Sequence, residues 1–271
     1  MDTTNRQPGT PAGRRHPWDI QRTVLFALLL REMKARVGGQ WIGAVWTLFE
    51  PLAHVAIIVT ILGVLRADML PGIEYPVFLV TGLIPFFLWQ HLATRLMDGI
   101  ESNRGLFSYR QVKPLDTLLS RAAVESMMNL AVYVVSLLAL AWIGYHVVPY
   151  QPLEMIGVNL LLVFFGTSFG ILCAVLSHQR ARLKSFVRMT MTPMYFASGV
   201  IIPIDRLPRE YIEWLLWNPL LHLVELSRHA FIREYVPTDG VNVGYPAMFT
   251  LVVSAIGLAL YRVNRLRLIA S

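Results

Sequence analysis

Long apolar blocks separated by short polar segments are the feature that most constrains the fold of this chain. Six blocks run approximately over Trp41–Leu65, Pro76–Leu96, Leu115–Gly144, Leu153–Leu176, Phe186–Ile204 and Tyr245–Leu260. A helix needs roughly 20 apolar residues to cross the hydrocarbon core of a bilayer, and the last two blocks reach that length only with flanking residues. Continuous apolar runs lack the alternation of a membrane barrel. The sequence therefore predicts an all-helical integral membrane protein with six transmembrane helices.

The charge composition agrees with a membrane protein. Only 15% of the 271 residues are charged, against about 25% in soluble domains. The formal net charge is +7, but basic residues beside apolar spans indicate membrane orientation rather than nucleic-acid binding. The single cysteine, Cys173, lies in an apolar block and excludes an intrachain disulfide or a zinc site built of cysteines.

The distribution of basic residues predicts the orientation. The N-terminal region, the second and fourth connections and the C-terminus are rich in Lys and Arg. By contrast, the first connection holds one arginine against two acids, and the third, Tyr145–Pro152, holds no Lys or Arg. Under the positive-inside rule this alternation places both termini in the cytoplasm.

Two N-terminal segments are not predicted to span. Residues 1–17 are polar and read as a disordered cytoplasmic tail. Residues 18–38 have an apolar centre, Val24–Leu30, that is too short to cross and is bracketed by basic residues, which is typical of a helix lying in the cytoplasmic interface. Residues 39–271 then form a single six-span domain.

Proline interrupts the apolar sequence between the fifth and sixth spans. Residues 199–221 carry Pro203, Pro208 and Pro219 among large apolar side chains. Non-helical backbone at membrane depth must be sheltered by protein or must line a cavity. We therefore expect one or two short re-entrant helices on the outer side.

Polar residues inside the predicted spans are few. Glu50 and His54 lie four apart in the first span, and Glu125 and Asn129 repeat that spacing in the third. Ionisable groups in lipid are costly and usually functional. Either these side chains face a hydrated path, or they satisfy one another inside the helix bundle.

Chemical motifs are missing from the sequence. It contains no phosphate-binding loop, no His-Glu-x-x-His helix and no Gly-x-Ser-x-Gly elbow. We therefore expect no catalytic residue, no metal site and no cofactor on this chain, so that a separate subunit would have to hydrolyse any ATP. Gly39-x-x-x-Gly43 and Gly166-x-x-x-Gly170 would allow helices to approach closely.

Aromatic residues concentrate toward the ends of the spans. Interfacial belts explain many of them, but aromatic faces also suit sugar rings that slide along a wide pathway. The candidates to line such a path are Trp41, Trp46, Glu50, Trp89, Tyr195, Phe196, Trp214 and Trp217.

The second connection, residues 101–114, is a short cytoplasmic helix candidate that ends at Pro114. Its apolar side chains, Leu106, Phe107 and Tyr109, would expose apolar area to water in a free loop. A partner protein could cover them, or they could dip into the membrane surface.

Four segments resemble a known family. They are residues 31–51, which hold Trp41-Ile-Gly-Ala-Val-Trp46, the segment Tyr109–Asp116, the segment Ser198–Pro203 and the segment Trp217–Arg228. In this order they are similar to the permease subunits of polysaccharide-exporting ATP-binding-cassette transporters of the Kps and Wzm type, in the second class of these exporters. The resemblance extends from about Trp18 to Arg267.

The resemblance implies a multi-pass protein of the bacterial inner membrane that forms a homodimer with two copies of an ATPase subunit, which binds ATP and Mg. The implied substrate is a lipid-linked capsular polysaccharide, passed on to a periplasmic co-polymerase or adaptor and an outer-membrane export protein. The implied ATPase-coupling residues are Arg104, Leu106, Phe107, Tyr109, Arg110 and Lys113. The basic residues Arg31, Lys34 and Arg36 would suit a cytoplasmic entry for a polyanion with a lipid phosphate, but they suit plain positive-inside orientation equally well.

Two further functions stay open from the sequence. Permeases for O-antigen or teichoic acid are close relatives of the capsule exporters. An intramembrane lipid- or sugar-modifying enzyme would need convergent acids or a metal site, for which Glu50, His54 and Glu125 are the main raw material.

Overall fold

Helices make up all the regular structure of the described part of the chain. The computed structural model describes residues 16–37, 41–65, 72–109 and 111–270, and no strand occurs within these ranges. The helices are α1 Pro17–Val37, α2 Trp41–Leu65, α3 Tyr75–Met97, α4 Gly99–Ser102, α5 Pro114–Ile143, α6 Pro152–Gln179, α7 Arg182–Ala197, α8 Arg209–Leu215, α9 Pro219–Phe231 and α10 Gly244–Ala270. Single 3-10 turns cover Arg104–Ser108 and Ile204–Arg206.

Four helices, α3, α5, α6 and α10, are long and apolar enough to cross a membrane. α2 has 25 residues, and its apolar stretch within the described side chains is Phe49–Gly63. α7 has 16 residues, or about 24 Å at 1.5 Å per residue, which is short of the ~30 Å hydrocarbon core. The described residues thus confirm the all-helical fold and are consistent with an integral membrane protein, whereas the count of six spans and the cytoplasmic termini stay predictions.

The fifth predicted span, Phe186–Ile204, differs from the helix that forms there. α7 begins at Arg182 and ends at Ala197. Gly199 has a φ of +65°, which an L side chain rarely adopts, and it turns the chain out of the helix. Asn218 holds this end by donating to the Ala197 carbonyl at 3.3 Å and to the Ser198 hydroxyl at 3.0 Å. The prolines thus predicted a break in this region but not its position.

Proline also begins several of the helices. α3, α5, α6 and α9 each carry a proline in their first turn, where the missing backbone N–H costs no hydrogen bond. At the start of α5, the Asp116 carboxylate accepts a bond from the Lys113 N–H at 3.2 Å. The same helix ends at Gly144, whose φ is +107°.

α3 is the centre of the bundle. It packs against α5, α6 and α9, and most of its side chains are buried. Its contact with α6 depends on glycine, because a Cβ at Gly166 would lie 2.7 Å from a Leu92 methyl and one at Gly170 would lie 2.7 Å from the Leu92 carbonyl oxygen. The predicted close approach at this glycine pair is therefore confirmed, whereas Gly39 lies outside the described residues.

A buried polar cluster, which we call the outer cluster, joins α9 to its neighbours. Arg228 is fully buried, donates to the Phe78, Gly199 and Val200 carbonyls, and stacks over the Phe78 ring at 3.8 Å. Its ion-pair partner Glu225, 3.5 Å away, also accepts from the Tyr235 hydroxyl at 2.6 Å. Burial and the Glu225 carboxylate raise the pKa of Tyr235, so the phenol stays protonated and donates.

The predicted re-entrant region, residues 199–221, contains α8 and the start of α9. α8 has seven residues and no buried side chain, whereas α9 is buried along most of its length. One short helix, α8, lies wholly within the predicted region, whereas α9 begins at its end and continues to Phe231. Their depth in a membrane stays a prediction, as does the domain division into residues 1–17, 18–38 and 39–271.

Candidate functional site

An open groove between helices gathers most of the polar residues that the sequence placed inside spans. It has a volume of about 620 Å³ and lies among the C-terminal end of α1 and helices α2, α3 and α5. Its lining residues include Arg36, Trp46, Phe49, Glu50, His54, Phe87, Gln90, His91, Arg95, Glu125 and Asn129.

Three charged residues of the groove lining form a cluster, which we call the groove ion cluster: Arg36, Arg95 and Glu125. The Glu125 carboxylate is only 4% exposed, and the Arg36 guanidinium donates to both of its oxygens. The Arg95 Nε lies 3.9 Å from the same carboxylate. Because Arg95 belongs to the last turn of α3, this cluster lies at the end of α3 that leads into residues 99–113.

Beyond this cluster, helices α2, α3 and α5 contribute neutral and ionisable side chains to the lining of the groove. Glu50 and His54 of α2 are exposed, His91 of α3 is half-buried, and Asn129 of α5 is buried. The His54 and Phe87 rings contact edge to face at 5.3 Å. The two pairs predicted from i, i+4 spacing therefore meet in one groove. Of the two interpretations, the exposure of Glu50 and His54 favours facing an open space.

Aromatic side chains line the same groove. Trp46 and Phe49 of α2 pack at 5.6 Å, and both are more than half exposed. On α3, Phe87 stacks parallel to Tyr195 at 6.3 Å, and Tyr195 contacts Phe196 at 5.4 Å. An aromatic row thus leads from the groove residue Phe87 toward the end of α7, and Tyr195 and Phe196 lie beyond the lining of the groove.

The remaining predicted path residues lie elsewhere. Trp89 is 3% exposed and packs against Phe165 and Phe169 in the core, so its side chain faces away from the groove. Trp214 and Trp217 are about four-fifths exposed, on α8 and in the turn after it. Trp41 begins α2, and its side chain lies outside the described residues.

The predicted coupling segment folds as α4 and a 3-10 turn. Phe107 is 6% exposed and belongs to the core, so it packs on this chain's own helices instead of awaiting a partner. Leu106 is half-buried against the core, whereas Tyr109, Arg104 and Lys113 are exposed. Arg110 lies outside the described residues. The surface open to a partner is accordingly narrower than predicted.

Ion pairs fix the position of this segment against α7. The Lys184 Nζ lies 2.5 Å from Glu101 and 3.2 Å from Asp98, and Arg188 reaches Asp98 at 2.8 Å. Lys184 and Arg188, whose charge also contributes to the positive-inside pattern, thus hold α4 in place.

The three residues of the predicted basic entry have different partners. Arg36 pairs with Glu125, as described, and Arg31 donates to the Asn103 side chain at 2.7 Å. Lys34 is exposed.

Two groove residues, His91 and Arg95, were missed from the sequence. They lie within the predicted apolar block Pro76–Leu96 and were not singled out there, although their spacing from Phe87 places all three on one face of a helix. Ionisable residues at i, i+4 within a predicted span were the signal that could have found them.

Comparison with known proteins identifies the family. The model of the ABC-2 type transporter family matches residues 23–232. The chain is 37% identical over 257 residues to the polysialic acid transport protein KpsM of Escherichia coli, covering 95% of this chain and 99% of that protein. This chain belongs to the ABC-2 type transporter family. Capsule polysaccharide export inner-membrane proteins are also similar: CtrC of Neisseria meningitidis is 31% identical, with 89% of this chain and 91% of CtrC covered. BexB of Haemophilus influenzae is 27% identical, with 89% of each covered.

The ABC-2 match contains every part of the candidate site. It runs from α1 to the end of α9 and includes the groove, the coupling segment and the outer cluster, whereas α10 lies beyond it. The resemblance predicted from four segments is therefore confirmed at the level of the family. Membership in this family makes the chain the membrane subunit of a transporter rather than an enzyme.

Proposed function

We propose that this chain is the membrane subunit of an ATP-driven exporter that moves lipid-linked capsular polysaccharide across the bacterial inner membrane. The observation that carries the proposal is similarity over nearly the full length of both chains to a polysialic acid transport protein. Two further relatives are named as inner-membrane proteins for capsule polysaccharide export. Permeases for O-antigen or teichoic acid are the alternative within the same class.

The proposed topology has six spans and cytoplasmic termini. α2, α3, α5, α6 and α10 supply five of them, and α7 with the turn up to Ile204 supplies the other. In this arrangement the basic residues of the first helix, the coupling segment and the end of α10 all face the cytoplasm. The outer cluster and α8 then lie on the periplasmic side.

The groove is the proposed contact site for the polymer on the cytoplasmic half of this subunit. It combines aromatic faces at Trp46, Phe49 and Phe87 with donors and acceptors of both charge signs. A sugar ring presents an apolar face and several hydroxyls, so such a lining can hold successive rings without binding one tightly. An intramembrane enzyme is disfavoured, since the family is one of transporters and the described residues contain no group of three or more side chains that could hold a metal ion.

ATP hydrolysis is assigned to a separate subunit, two copies of which would act on a homodimer of this chain. The sequence has no phosphate-binding loop. The exposed residues of the coupling segment, Arg104, Tyr109 and Lys113, offer charged and aromatic contacts to such a partner. ATP and Mg would therefore bind to the partner.

The test is export in a strain that synthesises capsular polymer but lacks its own exporter, and that receives this chain together with its cognate ATPase subunit. Polymer at the cell surface is measured with the wild-type ATPase and with a variant whose phosphate-binding lysine is replaced. We expect surface polymer only with the active ATPase. Surface polymer that is unaffected by inactivating the ATPase would contradict the proposal.

A further inference from the structure

α1 is bound along α5 by polar contacts that follow the same order on both helices. Gln21 donates to Asp116 at 2.7 Å and Glu32 accepts from Arg121 at 2.6 Å, and Arg36 pairs with Glu125 further along. The first and last of these contacts span about 22 Å of α1 but only about 14 Å of α5, at 1.5 Å per residue. α1 therefore crosses α5 obliquely, and its C-terminal end reaches the groove.

The middle of α1 is attached to the coupling segment. The Arg31 guanidinium donates to the Asn103 side-chain oxygen at 2.7 Å, and Asn103 is 2% exposed. The Asn103 amide in turn donates to the Gly99 carbonyl at 2.9 Å. A displacement of α4 and its 3-10 turn would thus act directly on α1, five residues before Arg36.

α1 has few apolar contacts with the rest of this chain. Among its described side chains only Leu28 is buried, whereas Trp18, Phe26 and Met33 are at least 40% exposed. Elements with little buried apolar area move at low free-energy cost, and polar contacts can exchange with water. α1 can therefore shift as a unit while α3 and α5 stay packed.

We propose that the Arg36–Glu125 ion pair is the gate of the groove and that α1 carries it, moved by the coupling segment through Arg31 and Asn103. This proposal rests on the proposed export function and specifies how the groove is regulated. Arg95 makes the opening feasible, because it stays beside Glu125 on α3 when Arg36 leaves. A buried carboxylate without any cation would be far more costly. Arg31 and Arg36 therefore act as positioning residues.

The test reads the groove with a single cysteine. Ala53, which lines the groove on α2, is replaced by cysteine in a Cys173→Ala background, and maleimide labelling is timed in the purified permease–ATPase complex. Labelling is compared without nucleotide and with ATP trapped by a hydrolysis-deficient ATPase. We expect nucleotide to change the labelling rate in the parent protein, and Arg31→Gln to lose most of that change. The matched control is Arg233→Gln, an exposed arginine in the loop after α9, and it should behave as the parent does.

A cross-link gives a second, independent test. The gate pair for this test is Leu25→Cys/Ser120→Cys, which ties α1 to α5 and keeps Arg36 and Glu125; in the parent protein the Ser120 hydroxyl donates to the Leu25 carbonyl at 3.5 Å. The two cysteines are joined by a reversible bis-methanethiosulfonate reagent, and export into inverted vesicles is measured before and after reduction. The control pair is Glu74→Cys/His146→Cys, whose exposed residues line a separate cavity of about 550 Å³ at the opposite end of α3. The linked gate pair should lose export and regain it on reduction, while the linked control keeps it.

The two tests distinguish a failure of the proposed gate from a failure of the proposed export function. If Arg31→Gln retains the full nucleotide effect, or if the linked gate pair still exports, the gate is wrong and the exporter assignment stands. If the parent protein itself fails to export with its active ATPase, the proposed function fails first.

Discussion

Two arginine–glutamate pairs among the described residues are built in different ways. In the outer cluster, Glu225 and Arg228 come from one helix, are both fully buried, and bond to backbone carbonyls, a phenol and an aromatic ring. In the groove ion cluster, the partners come from different helices, and the arginines keep access to the groove, with Arg36 23% and Arg95 53% exposed. Burial and hydrogen bonds keep the Glu225–Arg228 pair in one arrangement. The Arg36–Glu125 pair is open to the groove, so its partners can separate and become hydrated. We infer that one holds the fold and the other permits motion.

Removing the outer arginine tests the structural half of this comparison and should have the largest effect. Arg228→Ala would leave the buried Glu225 charge without its ion-pair partner and the Gly199 and Val200 carbonyls without their donor, at a cost of about 3–5 kcal/mol. We expect a large loss of thermal stability in detergent and poor accumulation in the membrane. Arg233→Ala, at an exposed position, is the control, and equal melting temperatures for the two variants would contradict this role.

Substitution of Gly82, which packs against Arg228, tests the same structural role of the outer cluster. A Cβ at Gly82 of α3 would lie 2.0 Å from an Arg228 side-chain nitrogen, so Gly82→Ala must displace the guanidinium. Overpacking of this kind typically costs about 1–3 kcal/mol. Gly157→Ala on α6 meets no atom within 4 Å and should leave the unfolding temperature almost unchanged. Equal unfolding temperatures for the two alanine variants would show that Arg228 relaxes without loss.

The groove pair should separate stability from function. Glu125→Gln removes the charge at constant size, and exposure of Arg36 and Arg95 to the groove limits the loss of unfolding free energy to about 1 kcal/mol. Export should nevertheless fall strongly, because Arg36 no longer returns to a carboxylate. Thermal unfolding and export are measured on the same preparation, with Glu213→Gln on the exposed α8 as control. A variant that unfolds early and exports in proportion to its folded fraction would make this pair structural as well.

The coupling segment offers the smallest effect on stability. Tyr109 is 67% exposed, so Tyr109→Ala should change the free energy of unfolding by no more than about 0.5 kcal/mol. Phe107→Ala, two residues earlier, removes a core side chain and should cost about 3–5 kcal/mol. We expect Tyr109→Ala to weaken copurification of the ATPase from native membranes while the folded permease persists. Unchanged recovery of the ATPase would exclude Tyr109 from the contact.

Much of the fold followed from local pattern. The positions of α2, α3, α5, α6 and α10 agree with the predicted apolar blocks, because a lipid-exposed or buried helix needs a continuous apolar run. α7 was placed less well, since its end depends on a left-handed glycine and on Asn218 twenty-one residues beyond Ala197. The polar pairs on α2 and α5 were found, but their common groove was not, because spacing within one helix contains no information about its neighbours.

The sequence by itself determined that this is a helical membrane protein with a basic, short second connection and, through its resemblance, its family. The length of an apolar run, the asymmetry of charge and the turn residues are properties of short stretches of sequence, so they can be read without knowing how the helices pack. Only the tertiary structure decided that Phe107 and Trp89 are buried, that Arg36 reaches Glu125, and that Arg228 fills the space left by Gly82. Those contacts join residues far apart in the chain, and their free energy comes from packing and desolvation, which exist only once the helices are in place.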